Sequence, residues 1–432
     1  MYALKESGYQ YIGLVPIHWK LEKLKYKLKR SENRKVHSSE VLSLYREYGV
    51  VPKSSRDDNH NVTSEDTSKY KFVEIGDFVV NKMKAWQGSV AVSQLEGIVS
   101  PAYYVYSFID RSFVKRYFHY LIRSCYKGEF RRLSGGIREG QWDLPSIALD
   151  NVSVICPPTE EQEKIANFLD DKCTEIDSLV ADIQKEISIL EEYKMSVVTE
   201  SVTKGIKTNV ELKNSGLDWI NKIPKEWSKS KVKYLFSSGK GLSITKDNLV
   251  TEGIPVINYG QIHSKENTRV ELSNTLLRYI PKSFIKKATN SQVNQYDFVF
   301  ADTSEDYDGC GNCVYKRDDS ITYAGYHTIV LHSINSTDNR YLAYLFTTDL
   351  WRKQIRTKVS GIKVLSITQQ IILNSSLILP TFEEQKEIAD YLDCKCTEIE
   401  KVISVKQSQL ELLAEYKKSL IYEYVTGKKE VI

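Results

Sequence analysis

Long apolar runs are missing: no stretch of about eighteen apolar residues occurs in this chain of 432 residues, so no membrane-crossing helix is expected. The opening residues, MYALKESGYQ, lack the apolar core of a secretory signal. Cysteine is sparse, with seven residues in irregular, odd-numbered array, which argues against a disulfide framework and for a reduced, cytoplasmic protein. Nothing resembles a phosphate loop, since Gly239-Lys240-Gly241-Leu242-Ser243 has the wrong spacing. A methyltransferase would need an Asn/Asp-Pro-Pro-aromatic loop, and the nearest string, Cys156-Pro157-Pro158-Thr159, has neither the amide nor the aromatic ring. Asp302, Glu305, Asp306 and Asp308 are dense but sit in a Gly-containing loop, which reads as solvated rather than as a nuclease centre. Cys310, Cys313, His327 and His332 approach a zinc spacing. The two histidines, however, bracket a β-branched run that would point them to opposite faces, so no metal site is expected.

Arginine is also missing from whole segments. All of it lies between Arg30 and Arg138 or between Arg269 and Arg356. The net charge of +4 hides the same division: residues 16–156 carry a surplus of +7, 157–223 of −6, 224–379 of +6 and 380–432 of −3. Basic and acidic blocks therefore alternate. Arginine's rigid fork suits phosphate and guanine, whereas lysine suits a solvated helix face.

What is present is an internal duplication. Ser7-Gly8, Ile12, Pro16, Trp19, Lys23, Lys25 and Tyr26 recur at an offset of 208 as Ser215-Gly216, Ile220, Pro224, Trp227, Lys231, Lys233 and Tyr234. Glu160-Glu161-Gln162, Ile165-Ala166, Leu169-Asp170 and Lys172-Cys173-Thr174-Glu175-Ile176 recur at an offset of 223, from Glu383-Glu384-Gln385 to Ile399. Val202-Thr203 likewise returns as Val425-Thr426. Two matching frames enclose two strongly diverged inserts.

The acidic segments predict long helices opened by Pro157-Pro158 and Pro380, with glutamates in the first turn where the dipole favours them. The heptad positions Ala166, Leu169, Cys173, Ile176, Val180, Ile183, Ile187, Leu190, Lys194 and Val197 are apolar but for the lysine. Ala389, Leu392, Cys396, Ile399, Ile403, Lys406, Leu410, Leu413, Lys417 and Leu420 repeat the pattern, which predicts two antiparallel coiled-coil helices of about 43 residues each. The basic inserts predict compact α+β domains. Turn-then-strand segments are expected at 73–80 and 293–300, strands at 102–108, 254–258 and 328–332, and helices at 114–125 and 341–355.

The whole chain resembles the specificity subunit of type I restriction-modification systems. The likeness rests on Ile223-Pro224-Lys225-Glu226-Trp227 with its variant Val15-Pro16-Ile17-His18-Trp19, on Gly76-Asp77-Phe78-Val79, and on Pro157-Pro158-Thr159-Glu160-Glu161-Gln162. The second copy of the last motif departs as Pro380-Thr381-Phe382-Glu383-Glu384-Gln385. The resemblance implies two target-recognition domains, each reading half of a split sequence in double-stranded DNA, joined by helices that separate them and bind two methyltransferase subunits. It assigns methyl transfer, ATP-driven translocation and cleavage, with S-adenosylmethionine, ATP and Mg²⁺, to those subunits and two restriction subunits, leaving this chain non-catalytic and without cofactor. The implied boundaries are entry segments 1–26 and 209–234, recognition domains 27–156 and 235–379, and helices 157–208 and 380–432.

Candidate DNA contacts are loops that combine cations, amides and small residues. In the first insert these are Lys82, Lys84, Trp86 and Gln87, then Arg131, Arg132, Ser134, Gly136, Arg138 and Gln141. In the second they are Asn258, Tyr259 and Gln261, then Thr303 and Ser304, then Lys358, Ser360 and Lys363.

Overall fold

A computed structural model describes residues 2–34, 40–56, 67–137, 142–267, 270–285, 289–334 and 339–431. The chain divides into two compact units. Unit 1 is Met1–Gln184 with Gln407–Ile432, and unit 2 is Lys185–Lys406. Each insert thus shares a core with its own frame and with part of both long helices, a grouping that linear domain boundaries do not convey.

In unit 1 the strand Lys20–Lys23 pairs antiparallel with Ser153–Cys156, so the entry segment is stitched to the end of the insert. Between them Leu28–Ser31, Tyr103–Phe108, Phe78–Asn81 and Val90–Val92 form an antiparallel sheet in that spatial order. In unit 2 Ser228–Lys231 pairs with Ser376–Leu379, and the sheet runs Phe236–Lys240, Thr328–Ser333, Phe298–Ala301, Cys313–Tyr315. Numbered along the chain, both sheets have the order 1-4-2-3. The inserts share a topology that their sequences have almost lost.

The strand that opens each Asp-Phe-Val/Phe segment is set by the same turn. Asp77 accepts from the Glu74 amide at 3.0 Å, and Asp297 from the Asn294 amide at 2.8 Å. The residue before each aspartate has positive φ, glycine in one copy (Gly76, +91°) and tyrosine in the other (Tyr296, +71°). In unit 2 this aspartate also holds His332, Nδ1 to Oδ2 at 2.8 Å, and that hydrogen bond raises the imidazole pKa above its ordinary value. Because the folded value is raised, its stabilisation is complete below the unfolded pKa of about 6.5 and fades as pH rises through the folded one. The thermal midpoint of unit 2 should therefore fall as pH climbs above neutrality, and His332→Asn should flatten that dependence. An unchanged pH profile in the variant would rule the pair out as its source.

Two expectations are corrected here. The helix expected at 341–355 is two helices, Arg340–Thr347 and Asp349–Arg356. Thr348 breaks it with extended backbone, its hydroxyl accepting from the Trp351 amide. Unit 2 also has a second sheet, Arg278–Ile280, Ile254–Ile257, Thr322–Ala324 and Gln292–Val293, with one parallel pair. The strand expected at 254–258 stops at Ile257.

The long helices span Thr159–Lys204 and Phe382–Val425. No helix among the described residues is long and apolar enough to cross a membrane. In unit 1 Lys417 reaches Asp177 at 2.6 Å. In unit 2 Lys194 meets Glu400 at 3.3 Å and Lys406 pairs with Glu186, so numbering rises on one helix as it falls on the other. These lysines are the polar exceptions in the apolar heptad pattern, and each has a carboxylate partner on the opposite helix.

The repeated motifs are repeated because they touch. The Trp19 indole N–H donates to Glu161 at 2.9 Å, and the Trp227 indole N–H donates to Glu384 at 3.1 Å. Tyr2 and His18 add two further contacts to Glu161. Burial opposes the charge on Glu161, but the donors Trp19, His18 and Tyr2 outweigh it and hold the carboxyl below its ordinary pKa. The Tyr117 hydroxyl donates to the Val425 carbonyl in unit 1, and that of Tyr341 to the Val202 carbonyl in unit 2, both at 2.9 Å. Each insert thereby grips the end of a long helix, which explains the recurrence of Val-Thr at both helix ends.

Candidate nucleic-acid interface

In unit 1 the strand Phe78–Asn81 ends in a loop containing the short helical turn Ala85–Gln87, closed by Gly88 in the left-handed region. The helix Lys127–Leu133 and residues 142–144 come back against it. The Leu144 amide donates to the Lys82 carbonyl at 3.0 Å, and Lys82 Nζ pairs with Asp143 at 2.8 Å. The Asp143 hydrogen bond raises the Lys82 pKa. Trp86 meets Trp142, ring centroids 5.5 Å apart, and the Arg131 guanidinium lies 5.9 Å from the Trp142 ring. Two loops separated by over forty residues in sequence thus form one basic and aromatic surface.

The roles within it differ. Lys82 clamps loop to loop. Arg132 binds Glu129 through two hydrogen bonds of 2.8 and 2.7 Å, so its fork is engaged within its own helix. Ser134 donates back to the Phe130 carbonyl. Lys84 is exposed, Gln87 is half-buried and Gly136 lies on an exposed loop. Arg138 and Gln141 lie outside the described residues.

Unit 2 brings its candidates together less evenly. Asn258 and Gln261 are buried and cap the helix Tyr259–Ile262. Gln261 accepts from the Asn258 backbone and side-chain amides, and donates to the Val256 and Leu276 carbonyls. Asn258 Oδ1 accepts from the Tyr326 amide. Both side chains hold the loop, and their amides are not presented as donors and acceptors at a surface. Ser304 is likewise buried, in the short pairing of Thr303–Ser304 with Leu365–Ser366. Thr303 offers its carbonyl to His263 at 2.8 Å. Tyr259 sits among His263, Tyr326 and His327 with ring centroids 5.4–6.2 Å apart. Lys358, Ser360 and Lys363 are exposed on the loop that follows Asp349–Arg356.

Sequence reasoning missed Trp142 and Tyr326, and named His327 only within a rejected zinc spacing. Trp142 has no local signal, because its ring partner is 56 residues earlier. Asn258 and Gln261 did carry one: Asn-x-x-Gln is capping-box spacing. The near-zinc residues are dispersed, with Cys310 directed to the Asp306 carbonyl, His327 to Asp302 and His332 to Asp297. Among the described residues no three His, Cys, Asp or Glu side chains form a metal-holding group.

Comparison with known proteins joins these observations. The family model described as type I restriction modification DNA specificity domain matches residues 25–188 and again 224–406. The chain is 24% identical over 285 residues to the type I restriction enzyme MjaVIII specificity subunit of Methanocaldococcus jannaschii, covering 65% of this chain and 63% of that protein. It therefore spans less than two thirds of that relative. It is 22% identical over 386 residues to the putative type I restriction enzyme MjaX specificity subunit of the same organism, covering 86% of this chain and 82% of that one. A solved chain from a type I R-M system shares the fold at a TM-score of 0.69 and 14% identity, over 96% of this chain and 99% of that one. With both duplicated halves matched, the chain belongs to the family of the type I restriction modification DNA specificity domain.

Proposed function

We propose that this chain is the non-catalytic specificity subunit of a type I restriction-modification complex, each insert domain reading one half of a bipartite target in double-stranded DNA. One observation carries the reading: a single 1-4-2-3 sheet and frame occurs twice, bearing different cationic and aromatic loops. A duplicated enzyme would keep its reacting groups in both copies, whereas a two-part reader keeps the scaffold and changes the loops. The long helices, as antiparallel coiled coils joining the two domains, dock two methyltransferase subunits, and two restriction subunits join those. S-adenosylmethionine, ATP and Mg²⁺ belong to these partners. Base and phosphate contacts come from Lys84, Trp86, Gln87, Arg131, Ser134, Gly136, Arg138 and Gln141 in the first domain. In the second they come from Tyr259, Thr303, Lys358, Ser360 and Lys363.

The test is purification of the native complex. Methyltransferase subunits should co-purify, while the isolated chain should transfer no methyl group and hydrolyse no ATP. With the complex in hand, Lys84→Ala should weaken binding to all duplexes and reduce the salt slope by about one. Methylation by the isolated chain, or a complex without sequence preference, would reject the reading.

A further inference from the structure

Among the described residues two isoleucines stand out from every other large apolar side chain. Ile137 is 99% exposed and Ile362 is 101% exposed, and the next most exposed large apolar residue described, Ile147, is at 76%. A single exposed isoleucine needs no explanation. These two occupy matching places, in Leu133-Ser134-Gly135-Gly136-Ile137-Arg138 and Val359-Ser360-Gly361-Ile362-Lys363, within inserts that otherwise share little sequence.

Backbone hydrogen bonds fix the chain close to each. In unit 1 Gly135, two residues before Ile137, exchanges backbone hydrogen bonds of 3.1 and 2.9 Å with Asp143. In unit 2 the Ser366 amide donates to the Ser360 carbonyl at 2.8 Å beneath Ile362. Gly361 has φ of +131°, and a Cβ there would stand 2.0 Å from the Val364 carbonyl oxygen, so the tight turn excludes other residues. The loop bases are fixed, and each lifts a stiff β-branched side chain into solvent. Asp143, which holds Gly135, adjoins Trp142 and so the Trp86 ring, and Ile362 lies between the exposed Lys358 and Lys363.

We infer that Ile137 and Ile362 are wedges, each pressed between adjacent base pairs of the duplex to kink it at its half-site. This rests on the DNA-reading function proposed above. The choice of wedge over base reader follows from the duplication: a residue retained in two domains that read different sequences is not what distinguishes those sequences. An apolar side chain entering a base step acts through stacking and deformation, which tolerate sequence.

The experiment uses the full chain with its co-purified methyltransferase subunits. The probe is a duplex carrying the target found by methylation sequencing, with fluorophores at both ends to report bending. The unmodified complex should bend the duplex. Ile137→Ala and Ile362→Ala should each remove part of the bend and weaken binding about tenfold, the effect of one lost buried aliphatic side chain. The double variant should leave the duplex nearly straight, and Ile→Leu at both sites should restore the bend. Both residues are fully exposed, so melting temperatures should not move. An unchanged bend and affinity in the double variant overturns the wedge while leaving DNA reading intact. Loss of methyltransferase co-purification without loss of bending would also overturn it, reassigning the isoleucines to a protein interface. Absence of any sequence-dependent binding by the unmodified complex defeats the wedge and the underlying function together.

Discussion

Trp227→Ala should cost unit 2 about 3–5 kcal/mol of stability. The side chain is 1% exposed, stacks edge-on against Tyr341 at 6.2 Å and donates to Glu384 at 3.1 Å. Tyr341 in turn holds the Val202 carbonyl at the end of the first long helix. Removing the ring opens a cavity at the point where entry segment, insert and both helices of that unit meet. Trp227→Phe keeps an aromatic ring but loses the indole donor, so it should cost less than the alanine variant. Urea unfolding of the full chain measures the difference. A loss below about 1 kcal/mol for alanine, the level of an ordinary point substitution, would show that the repeated tryptophan is not a structural joint.

Gly427→Ala should destabilise unit 1 by about 2–5 kcal/mol, combining a left-handed backbone with overpacking. Gly427 has φ of +71°, and a Cβ there would lie 2.4 Å from Pro16 and 2.8 Å from Trp19. Gly205 makes the informative control. Its φ is +80°, but a Cβ would meet only Glu384 at 3.1 Å and Trp227 at 3.5 Å. Gly205→Ala should therefore cost only the backbone penalty, about 1–2 kcal/mol. Equal losses at both positions would mean that Trp19 does not press on the end of the second long helix.

The frame was legible because its signals are local and doubled. Pro-x2-Trp and Glu-Glu-Gln each recur at a fixed spacing, and the structure supplies the reason in the Trp–Glu hydrogen bonds. The helices were legible because their apolar period runs through many turns. The second sheet of unit 2 was not, since Arg278–Ile280 and Thr322–Ala324 are three-residue strands with no periodicity to read. Nor was the break at Thr348, where one hydroxyl outweighs an otherwise helical pattern. For the candidate site, composition drew attention to residues 82–87 and 131–136, and the fold sets Lys82 against Asp143 and Arg131 beside Trp142. It could not assign tasks within them. Lys82 and Arg132 have the chemistry of a phosphate contact, yet each is paired to a carboxylate of its own domain. Asn258 and Gln261 have the chemistry of base readers, yet their amides hold a helix cap. Residue type predicts what a side chain can do, and only its neighbours decide whether it is free to do it.

The proposed function requires two scaffolds of one topology to carry two separate readers. Its most direct measurement replaces residues 27–156 with the corresponding insert of a related subunit and sequences the methylated positions of the host genome. The strand pairing of Lys20–Lys23 with Ser153–Cys156 marks where the graft must close. The expected methylated motif has one half changed to the donor's sequence and the other half untouched. A fully folded, methylation-competent graft that alters both halves, or neither, would contradict it.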